Sequence, residues 1–598
     1  MSHRHHPLTA SALLALLALG GIATPPCAFG QSAPASTNPT PAAASAPKAT
    51  VIAGQTPGGL LAVVDGQAVP VDAAIAASMG DAATLARIID EGTKRNEVMK
   101  HLTHLSEKIG PRLTGSTRIE QSSAWLIENY NLWGLTNAHD ETWGTIATRF
   151  DRGPSSGKIF YTSSSRTDPT DIKYDLAREL QFSTLSWTSG TKGAIRGPVV
   201  RMPKTEEEYA AIKPKLSGAW VLLEAPPAVG QRGIRSRAGA IFELRIEARK
   251  QVADGTKKPE EFTIRERMIF DGVAGWIGTS RDERVWTSSV PGWRDRAAAD
   301  IPPDVQVSVR LSDYDFINSR ISDGEAIEVE FDLQHTITAG PIPVYNTMAE
   351  IKGSELPNEI IIVSAHLDTW DGPGSLGVTD NGTGTVVTME AARILAAAKA
   401  KPRRTIRFIH WTGEEQGLLG SKEYVDARKK DGTLDSHVAV FNDDGGTNSQ
   451  GGAPGIASMV PMLAAASAPA NNLFTDVKSG LPLNVNIRTA KSMPRGGSSD
   501  HASFNAVGIP GFFWDEVGRA EYSYGWHTQN DKLDLAIPEY LMQSATNSAI
   551  TAYRLANAAE RLPRVPPVIA APKAAESTEA APAAKPEGTP AESPAGVQ

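Results

Sequence analysis

The chain has 598 residues, of which 41% are hydrophobic and 21% are charged, an ordinary composition for globular proteins. Its length allows two or three domains. The 59 basic and 67 acidic residues give a formal net charge of −8, and no stretch gathers lysine or arginine into a stripe. We therefore expect no nucleic-acid partner.

The first thirty residues are predicted to be a secretory signal peptide. Arg4 precedes an apolar run over residues 12–19 that is too short to span a bilayer, and small residues suit cleavage after Gly30. Cleavage would remove Cys27, the single cysteine, so we expect an exported protein, periplasmic or extracellular, without disulfide bonds or thiol catalysis. Because no later run reaches 18 apolar residues, we expect no membrane span.

The composition divides the remaining chain into five segments. Residues 31–75 are predicted to be a disordered linker and residues 563–598 a disordered Ala/Pro/Glu tail, because neither can bury enough apolar surface to offset the cost of ordering. Residues 76–189 are expected to form the N-terminal part of the main domain. Short β-like runs over residues 190–336 indicate a smaller inserted domain, and residues 337–562 are expected to form the core.

Strands and helices alternate along the core. Apolar runs at 360–364, 405–411 and 438–441 predict buried strands, and helical periodicity appears near 386–399 and 418–428. Continuous apolar strands separated by helices indicate an α/β fold, with a mostly parallel central sheet flanked by helices. Ligands of such sheets bind at the carboxyl ends of the strands, so residues at those ends deserve the closest attention.

The first core strand ends at His366, with Asp368 two residues later. In an extended chain these side chains point the same way, so the carboxylate can fix the orientation of the imidazole. A structural histidine in the core is the alternative for His366. Asp380 stands just before a helix, where it is either an N-cap or a metal ligand.

The next strand ends in two adjacent acids, Glu414 and Glu415. Their side chains are costly to ionise together unless a cation neutralises them, which favours a metal site. The structural alternative is that the two acids only stabilise the N-terminus of the next helix. Asp444 follows the third strand in a turn-like Asn-Asp-Asp-Gly segment, and His527 lies in a Gly/Tyr-rich loop near the end of the core.

Two further motifs have local interpretations. Gly372, Gly374 and Gly377 fit the spacing of a dinucleotide-binding loop, but five residues separate them from the next helix, so a nicotinamide enzyme is the weaker hypothesis. The Ser-Ser-Asp-His segment at 498–501 is typical of a helix N-cap, with a place in a binding cleft as the second interpretation.

Taken together, these residues supply imidazole and carboxylate donors without sulfur. Such donors at strand ends and in the loops that follow fit two zinc ions that share a bridging carboxylate.

The same residues resemble the zinc aminopeptidase family that includes glutamate carboxypeptidase, a family of co-catalytic di-zinc exopeptidases. The resemblance runs through His366-Leu-Asp368, Thr379-Asp-Asn381, Gly413-Glu-Glu-Gln-Gly417, Asp444, Ser499-Asp-His501 and His527-Thr528, and covers residues 330–560 in order. It implies a zinc exopeptidase fold in which 76–189 belongs to the catalytic domain, 190–336 is a protease-associated-like insert and 337–562 is the di-zinc core.

The resemblance also implies a role for each residue. One zinc would be held by His366 and Asp444 and the other by Glu415 and His527, with Asp380 bridging them. Glu414 would be the general base, Asp368 the partner of His366, and a cis peptide would follow Asp380. The chain departs from the family pattern at Gly445, where the family usually has a hydrophobic residue; the Asn-x-Asp pattern favours Asp444 over Asp443 as the ligand.

The expected activity is hydrolysis of peptide bonds in short peptides or dipeptides. The terminus that is read depends on whether the cleft offers an acid for a free ammonium or a cation for a free carboxylate, and Arg495 is a candidate for the second role. Glutaminyl-cyclase-like acyl transfer and a metal-free binding or receptor homologue are the alternatives. The sequence leaves the oligomeric state open between a monomer and a homodimer.

Overall fold

The computed structural model describes residues 60–164, 172–225 and 231–564. The predicted signal peptide and nearly all of the predicted C-terminal tail lie outside the described residues. Within the described parts, none of the helices combines the length and apolar character needed to cross a bilayer.

Nineteen strands occur in the described residues. They are β1 (Leu61–Val64), β2 (Gln67–Pro70), β3 (Thr136–Asp151), β4 (Ser155–Ser164), β5 (Ile172–Glu179), β6 (Phe182–Ser183), β7 (Ile195–Arg201), β8 (Trp220–Leu222), β9 (Gly275–Thr279), β10 (Val305–Val309), β11 (Ile327–Leu333), β12 (Thr336–Ile351), β13 (Leu356–His366), β14 (Arg404–Trp411), β15 (His437–Asn442), β16 (Ser449–Ile456), β17 (Asn486–Ala490), β18 (Gly511–Phe513) and β19 (Asp515–Val517).

Fourteen α-helices accompany these strands in the same parts of the chain. They are α1 (Ala73–Ala77), α2 (Ala82–Lys94), α3 (Val98–Thr103), α4 (Thr117–Leu132), α5 (Glu206–Ile212), α6 (Gln231–Ala253), α7 (Ile264–Met268), α8 (Leu311–Ser322), α9 (Thr383–Ala397), α10 (Leu419–Lys430), α11 (Val460–Ser467), α12 (His501–Asn505), α13 (Tyr522–Gly525) and α14 (Pro538–Asn557).

The central sheet has six strands in the order β18-β15-β13-β14-β12-β3. The first four are parallel, and β12 and β3 join them as an antiparallel pair. Because the carboxyl ends of β13, β14 and β15 lie at the same edge, the segments that follow these strands meet there. The predicted α/β class with a mostly parallel central sheet is confirmed.

Helices cover both faces of this sheet, which is why residues 360–363 of the inner strand β13 are apolar without interruption. Along β13, Ile361 and Val363 belong to the core shared with α9 and α14. The alternate residues Ile360 and Ile362 belong to a second core, which includes Tyr424 from α10. Successive side chains of a strand point to opposite faces, so one uninterrupted apolar run supplies both cores.

A second sheet of eight strands, in the order β5-β4-β11-β7-β8-β9-β10-β6, has a core of its own. Its strand β11 alternates strictly between buried and half-buried residues. The sheet takes in three strands before residue 190, so its chain segment begins earlier than the predicted insert of 190–336. Those strands complete the sheet because β4 pairs with β11, far along the chain.

A third sheet, in the order β19-β16-β17-β1-β2, corrects one expectation. Residues 61–70 were expected to lie in a disordered linker, but they form the hairpin β1–β2. Asp65 and Gly66 both have positive φ, 49° and 76°, as a two-residue hairpin turn requires. The hairpin is held to the protein by parallel pairing of β1 with β17. The Asp-Gly turn was overlooked because the Ala/Pro-rich sequence before it is typical of a disordered linker.

The packing of α9 predicts a large cost for truncating its buried face. Leu395 is fully buried beneath the central sheet, and Leu395→Ala should lower the free energy of unfolding by about 2–5 kcal/mol in urea denaturation. Leu132, on α4 and 74% exposed, is the matched control, and Leu132→Ala should change it by less than about 0.5 kcal/mol. Equal losses in the two variants would contradict the placement of α9 in the core.

Candidate metal centre

His366 is the last residue of β13, and its ring is fully buried. Its Nδ1 lies 2.8 Å from the backbone oxygen of Asp368. A carbonyl oxygen only accepts, so Nδ1 carries the proton and Nε2 keeps its lone pair for a ligand. The Asp368 carboxylate lies 3.7 Å from Nδ1, too far for a hydrogen bond, so the predicted contact is made through the backbone instead.

The contact with the start of α9 that the sequence left open to Asp380 is made by its neighbour Asn381. Asn381 Oδ1 accepts a hydrogen bond of 2.9 Å from the amide of Gly384 in the first turn of α9. Asp380, which precedes it across a cis peptide bond, directs its carboxylate at both histidines of the site. The amide of Asp380 is held by Asp531, a residue that the sequence analysis did not single out.

Glu414 and Glu415 follow β14, and the Asp368 carboxylate holds their backbone. Asp368 Oδ1 and Oδ2 each accept one hydrogen bond of 3.3 Å, from the amides of Glu414 and Glu415. Glu415 is fixed further by the amide of Trp370, which donates to its Oε1 at 3.2 Å. Asp368 therefore sets the geometry of the glutamate pair.

Two aspartates follow β15, and the structure separates their functions. Asp443 turns away from the cluster, where its carboxylate accepts a hydrogen bond of 2.6 Å from Gln450. Asp444 faces the cluster, with Oδ1 3.0 Å from His366 Nε2. This arrangement agrees with the preference for Asp444 that the Asn-x-Asp pattern gave.

His527 lies in the loop after α13 and has a positive φ of 58°, which is uncommon outside glycine. The loop is held by the segment that follows β9 in the second sheet, where the amide of Thr287 donates to the His527 carbonyl at 3.1 Å. Trp286 forms a β-bridge with Thr528 and contacts Trp526 edge to face. The second sheet thus helps to position the last candidate ligand.

Five side chains meet in two groups that share Asp380. The first contains His366, Asp380 and Asp444, and the second contains Asp380, Glu415 and His527; in each group the donor atoms lie within 4.8 Å of one another. His366 Nε2 lies 3.3 Å from Asp380 Oδ1, and His527 Nε2 lies 3.1 Å from Asp380 Oδ2. His527 Nε2 is also 2.9 Å from Glu415 Oε2.

The electrostatics of these groups favour a bound cation. Burial, and then the charge of Asp380, raise the pKa of Glu415 to about 7. Burial alone would lower the pKa of His527, but Glu415 and Asp380 outweigh it and raise that pKa to about 9. Protons thus accumulate where carboxylates crowd together, and a divalent cation can replace them. Imidazole nitrogen and carboxylate oxygen are the ligands of sulfur-free zinc sites, so the residues fit zinc.

Two buried residues before α4, Arg112 and Thr114, connect the loops of the site by hydrogen bonds; we call this pair the clip. Thr114 Oγ1 donates to Asp368 Oδ2 at 2.9 Å and accepts from the amide of Gly413 at 3.0 Å. The fully buried guanidinium of Arg112 donates to the carbonyls of Leu367 and Gly377, on either side of the loop between His366 and Asp380. The sequence marked this segment only as part of the resemblance, because nothing local shows what its side chains bind.

The cluster forms the floor of a cleft of about 700 Å³. Glu414 lines this cleft, whereas Arg495 is exposed and does not. The cleft is lined by Asp380, Glu414, Glu415, Gly417, Leu418, Asp444, Gly445, Asn448, Gly497, Ser498, Phe513, Glu516, Ala520, Glu521, Tyr522, Trp526 and His527. Among these described residues there is neither lysine nor arginine.

The other two motifs have structural explanations. The glycine loop is covered by protein, since a Cβ on Gly372 would lie 1.9 Å from Thr287 Oγ1 and one on Gly374 would lie 3.2 Å from Gln529 Cβ. That leaves no room for a pyrophosphate, and the nicotinamide hypothesis is not supported. Asp500 is the N-cap residue of α12 but makes no capping hydrogen bond through its side chain; Ser498 lines the cleft.

Comparison with known proteins shows which family this chain is similar to. Residues 346–551 match the family described as Peptidase family M28. Carboxypeptidase Q of Xenopus laevis is 29% identical over 267 residues, 44% of this chain and 53% of that protein, so this match spans about half of the relative. Carboxypeptidase Q of Homo sapiens is 24% identical over 504 residues, 82% of this chain and 91% of that protein.

A solved structure shares the fold. The peptidase M28 precursor of Shewanella amazonensis SB2B superposes with a TM-score of 0.51 at 22% identity, over 81% of this chain and 98% of that one. The likeness therefore extends over most of both chains and includes sheets and helices beyond residues 346–551.

A substitution at Thr114 tests whether its two hydrogen bonds stabilise the loops of the site. Thr114→Val keeps the shape but leaves the amide of Gly413 without a partner and removes one of the two hydrogen bonds to Asp368 Oδ2, which should cost about 1–3 kcal/mol of unfolding free energy and also lower activity. Thr388→Val is the matched control, because Thr388 is equally buried and its Oγ1 has no partner among the described residues. Urea denaturation should show a loss for Thr114→Val alone; the same loss in both variants would contradict the clip.

Proposed function

We propose that the chain is a zinc metallo-exopeptidase of the M28 type, which hydrolyses the terminal peptide bonds of short peptides or dipeptides in the cleft above the cluster. The support is its similarity to Peptidase family M28 over residues 346–551 and to carboxypeptidase Q over most of both chains. The observation that carries this proposal is the pair of donor groups joined through Asp380 on the floor of that cleft.

The proposed metal content is two zinc ions per chain. His366 and Asp444 would hold one ion, Glu415 and His527 the other, and Asp380 would bridge them through its two oxygens. The contacts support this division, since each histidine Nε2 faces a different oxygen of Asp380 and a different second carboxylate. Outside the two groups, Thr114 and Asp368 act as positioning residues.

Glu414 is the proposed general base. When bound, the zinc ions would act as Lewis acids that make a water molecule more acidic and polarise the scissile carbonyl. Glu414 lines the cleft with its Oε2 3.9 Å from His366 Nε2, and its backbone is fixed by Asp368. Its carboxylate would take a proton from the attacking water and deliver it to the departing amine.

The alternatives have less support. A metal-free binding homologue has no need of two histidines that face carboxylates at 2.9–3.3 Å in a buried cluster. Glutaminyl-cyclase-like acyl transfer on one zinc would leave the second donor group without a function. Hydrolysis would use both groups and Glu414, whose Oε2 lies 3.9 Å from His366 Nε2.

The second sheet is proposed to be the protease-associated-like insert and to support the metal centre. Besides the contacts of Thr287 with the His527 loop, Ser186 Oγ donates to Asp371 at 2.8 Å, and Arg152 forms an ion pair with Asp371 at 3.3 Å. Asp371 lies in the loop between His366 and Asp380, so two ligand-bearing segments rest on this sheet.

Export to the periplasm or the medium is also proposed. The support is the sequence of residues 1–30, with its basic start, short apolar run and small residues before the expected cleavage point.

Glu414→Gln tests the proposed function. The substitution keeps the shape of the side chain and removes its ability to accept the proton, so turnover of a dipeptide by zinc-loaded protein should fall by several orders of magnitude. The zinc content, measured by elemental analysis, should stay at the wild-type value. Glu521→Gln, which neutralises an exposed acid of the same cleft, is the matched control and should stay within a few-fold of wild type. Unchanged turnover in Glu414→Gln would remove Glu414 as the base.

A further inference from the structure

Glu516 is a buried carboxylate without a partner among the described residues. It lies in β19 and lines the cleft, and neither Oε1 nor Oε2 has a hydrogen bond or a solvent-accessible surface. Burial, together with the neighbouring charges of Asp443 and Asp444, raises its pKa well above the usual value. A buried carboxylate is costly unless a cation or hydrogen-bond donors pair with it, so Glu516 requires an explanation.

The position of Glu516 accounts for the unusual glycine after Asp444. A Cβ atom on Gly445 would lie 1.8 Å from Glu516 Cγ, so the hydrophobic residue that the family usually has there cannot coexist with this side chain. Next to it, a Cβ on Gly446 would lie 2.6 Å from Cδ2 of Tyr522. The two glycines therefore give the space beside Asp444 to a carboxylate and a tyrosine ring.

No lysine or arginine among the described residues pairs with Glu516. None of the described residues that line the cleft is a lysine or an arginine, and the histidine there, His527, faces Asp380 and Glu415. Arg519, in the loop directly after β19, is already bound to Asp476 and Glu539. The remaining candidate from the sequence, Arg495, is exposed and outside the cleft. The partner of Glu516 therefore has to arrive with the substrate.

We propose that Glu516 binds an ammonium group of the substrate, and that this group is the free α-ammonium of the peptide N-terminus. The inference rests on the proposed function, because it needs a peptide in the cleft. The Glu516 side chain lies against Gly445, the residue that follows the candidate ligand Asp444, so a group bound to it would lie next to the proposed metal centre. An α-ammonium is two bonds from the scissile carbonyl carbon, whereas the ammonium of a lysine side chain is six bonds away. The enzyme then reads the N-terminus, as an aminopeptidase or a dipeptidase does.

Glu516→Gln is the test, because it removes the charge and keeps the shape. Loss of a charge-assisted hydrogen bond corresponds to a decrease of about 10- to 100-fold. The value of kcat/KM for a dipeptide with a neutral side chain and a free N-terminus should fall by this factor, mainly through KM. Glu521→Gln is the control, since the Glu521 carboxylate already accepts hydrogen bonds from Ser523; it should leave the preference for a free N-terminus unchanged.

A binding measurement separates this inference from catalysis. In zinc-loaded Glu414→Gln, calorimetry should show that the free dipeptide binds about 10- to 100-fold more tightly than its N-acetyl derivative. The double variant Glu414→Gln/Glu516→Gln should bind both peptides equally. A parallel pair of dipeptides, with lysine or leucine at the N-terminal position, distinguishes the two sources of an ammonium.

Each outcome has a definite meaning. A loss confined to the lysine peptide would move the contact to the side chain and overturn the N-terminal assignment. An equal loss for free and N-acetyl peptides, no loss at all, or a loss of zinc from Glu516→Gln would overturn the role of Glu516. If the wild-type protein hydrolyses no peptide, the proposed function fails, whatever Glu516 binds.

Discussion

Electrostatic crowding at the carboxyl edge of the central sheet is the constraint on which the rest of the structure depends. Carboxylates from three loops and two imidazoles lie there in two groups, each with its donor atoms within 4.8 Å of one another, and their side chains are at most 10% exposed. Ionised together, the acids repel one another, and burial makes each of them more costly. A pair of divalent cations would relieve both effects, and the same cations would supply the Lewis acidity that peptide hydrolysis needs.

The surrounding protein holds the candidate ligands in place mainly through hydrogen bonds to the backbone of their loops. Arg112 binds carbonyl oxygens, Thr114 joins two loops, and the amides of Glu414 and Glu415 are held by Asp368. The second sheet acts in the same way on the His527 loop. Backbone contacts of this kind set the direction of each donor and leave its side chain free for the ion and the substrate.

Local sequence patterns predicted correctly those elements whose structure is determined by a single short segment. The apolar runs that became β13, β14 and β15 predicted strands, and acids and histidines at strand ends predicted a cluster at one edge. The cluster residues do come together, and the expectation that Asp368 binds His366 through its carboxylate is wrong because the backbone oxygen is closer. The roles of these residues as ligands and base stay predictions.

The remaining features depend on contacts between distant segments, which a local pattern does not contain. Nothing near Thr114 indicates that it will meet Gly413, and the hairpin at 61–70 is ordered through β17. The sequence did mark Gly445 as a departure from the family. Its cause, the side chain of Glu516 on a strand seventy residues later, is visible only in the fold.

Zinc stoichiometry tests the central claim most directly. Elemental analysis of purified, zinc-saturated protein should find two ions per chain in the wild type, and one in each of the variants His366→Ala and His527→Ala. Those values would show two groups that hold their ions separately through different histidines. A single ion in the wild type, or two ions in either variant, would contradict the account.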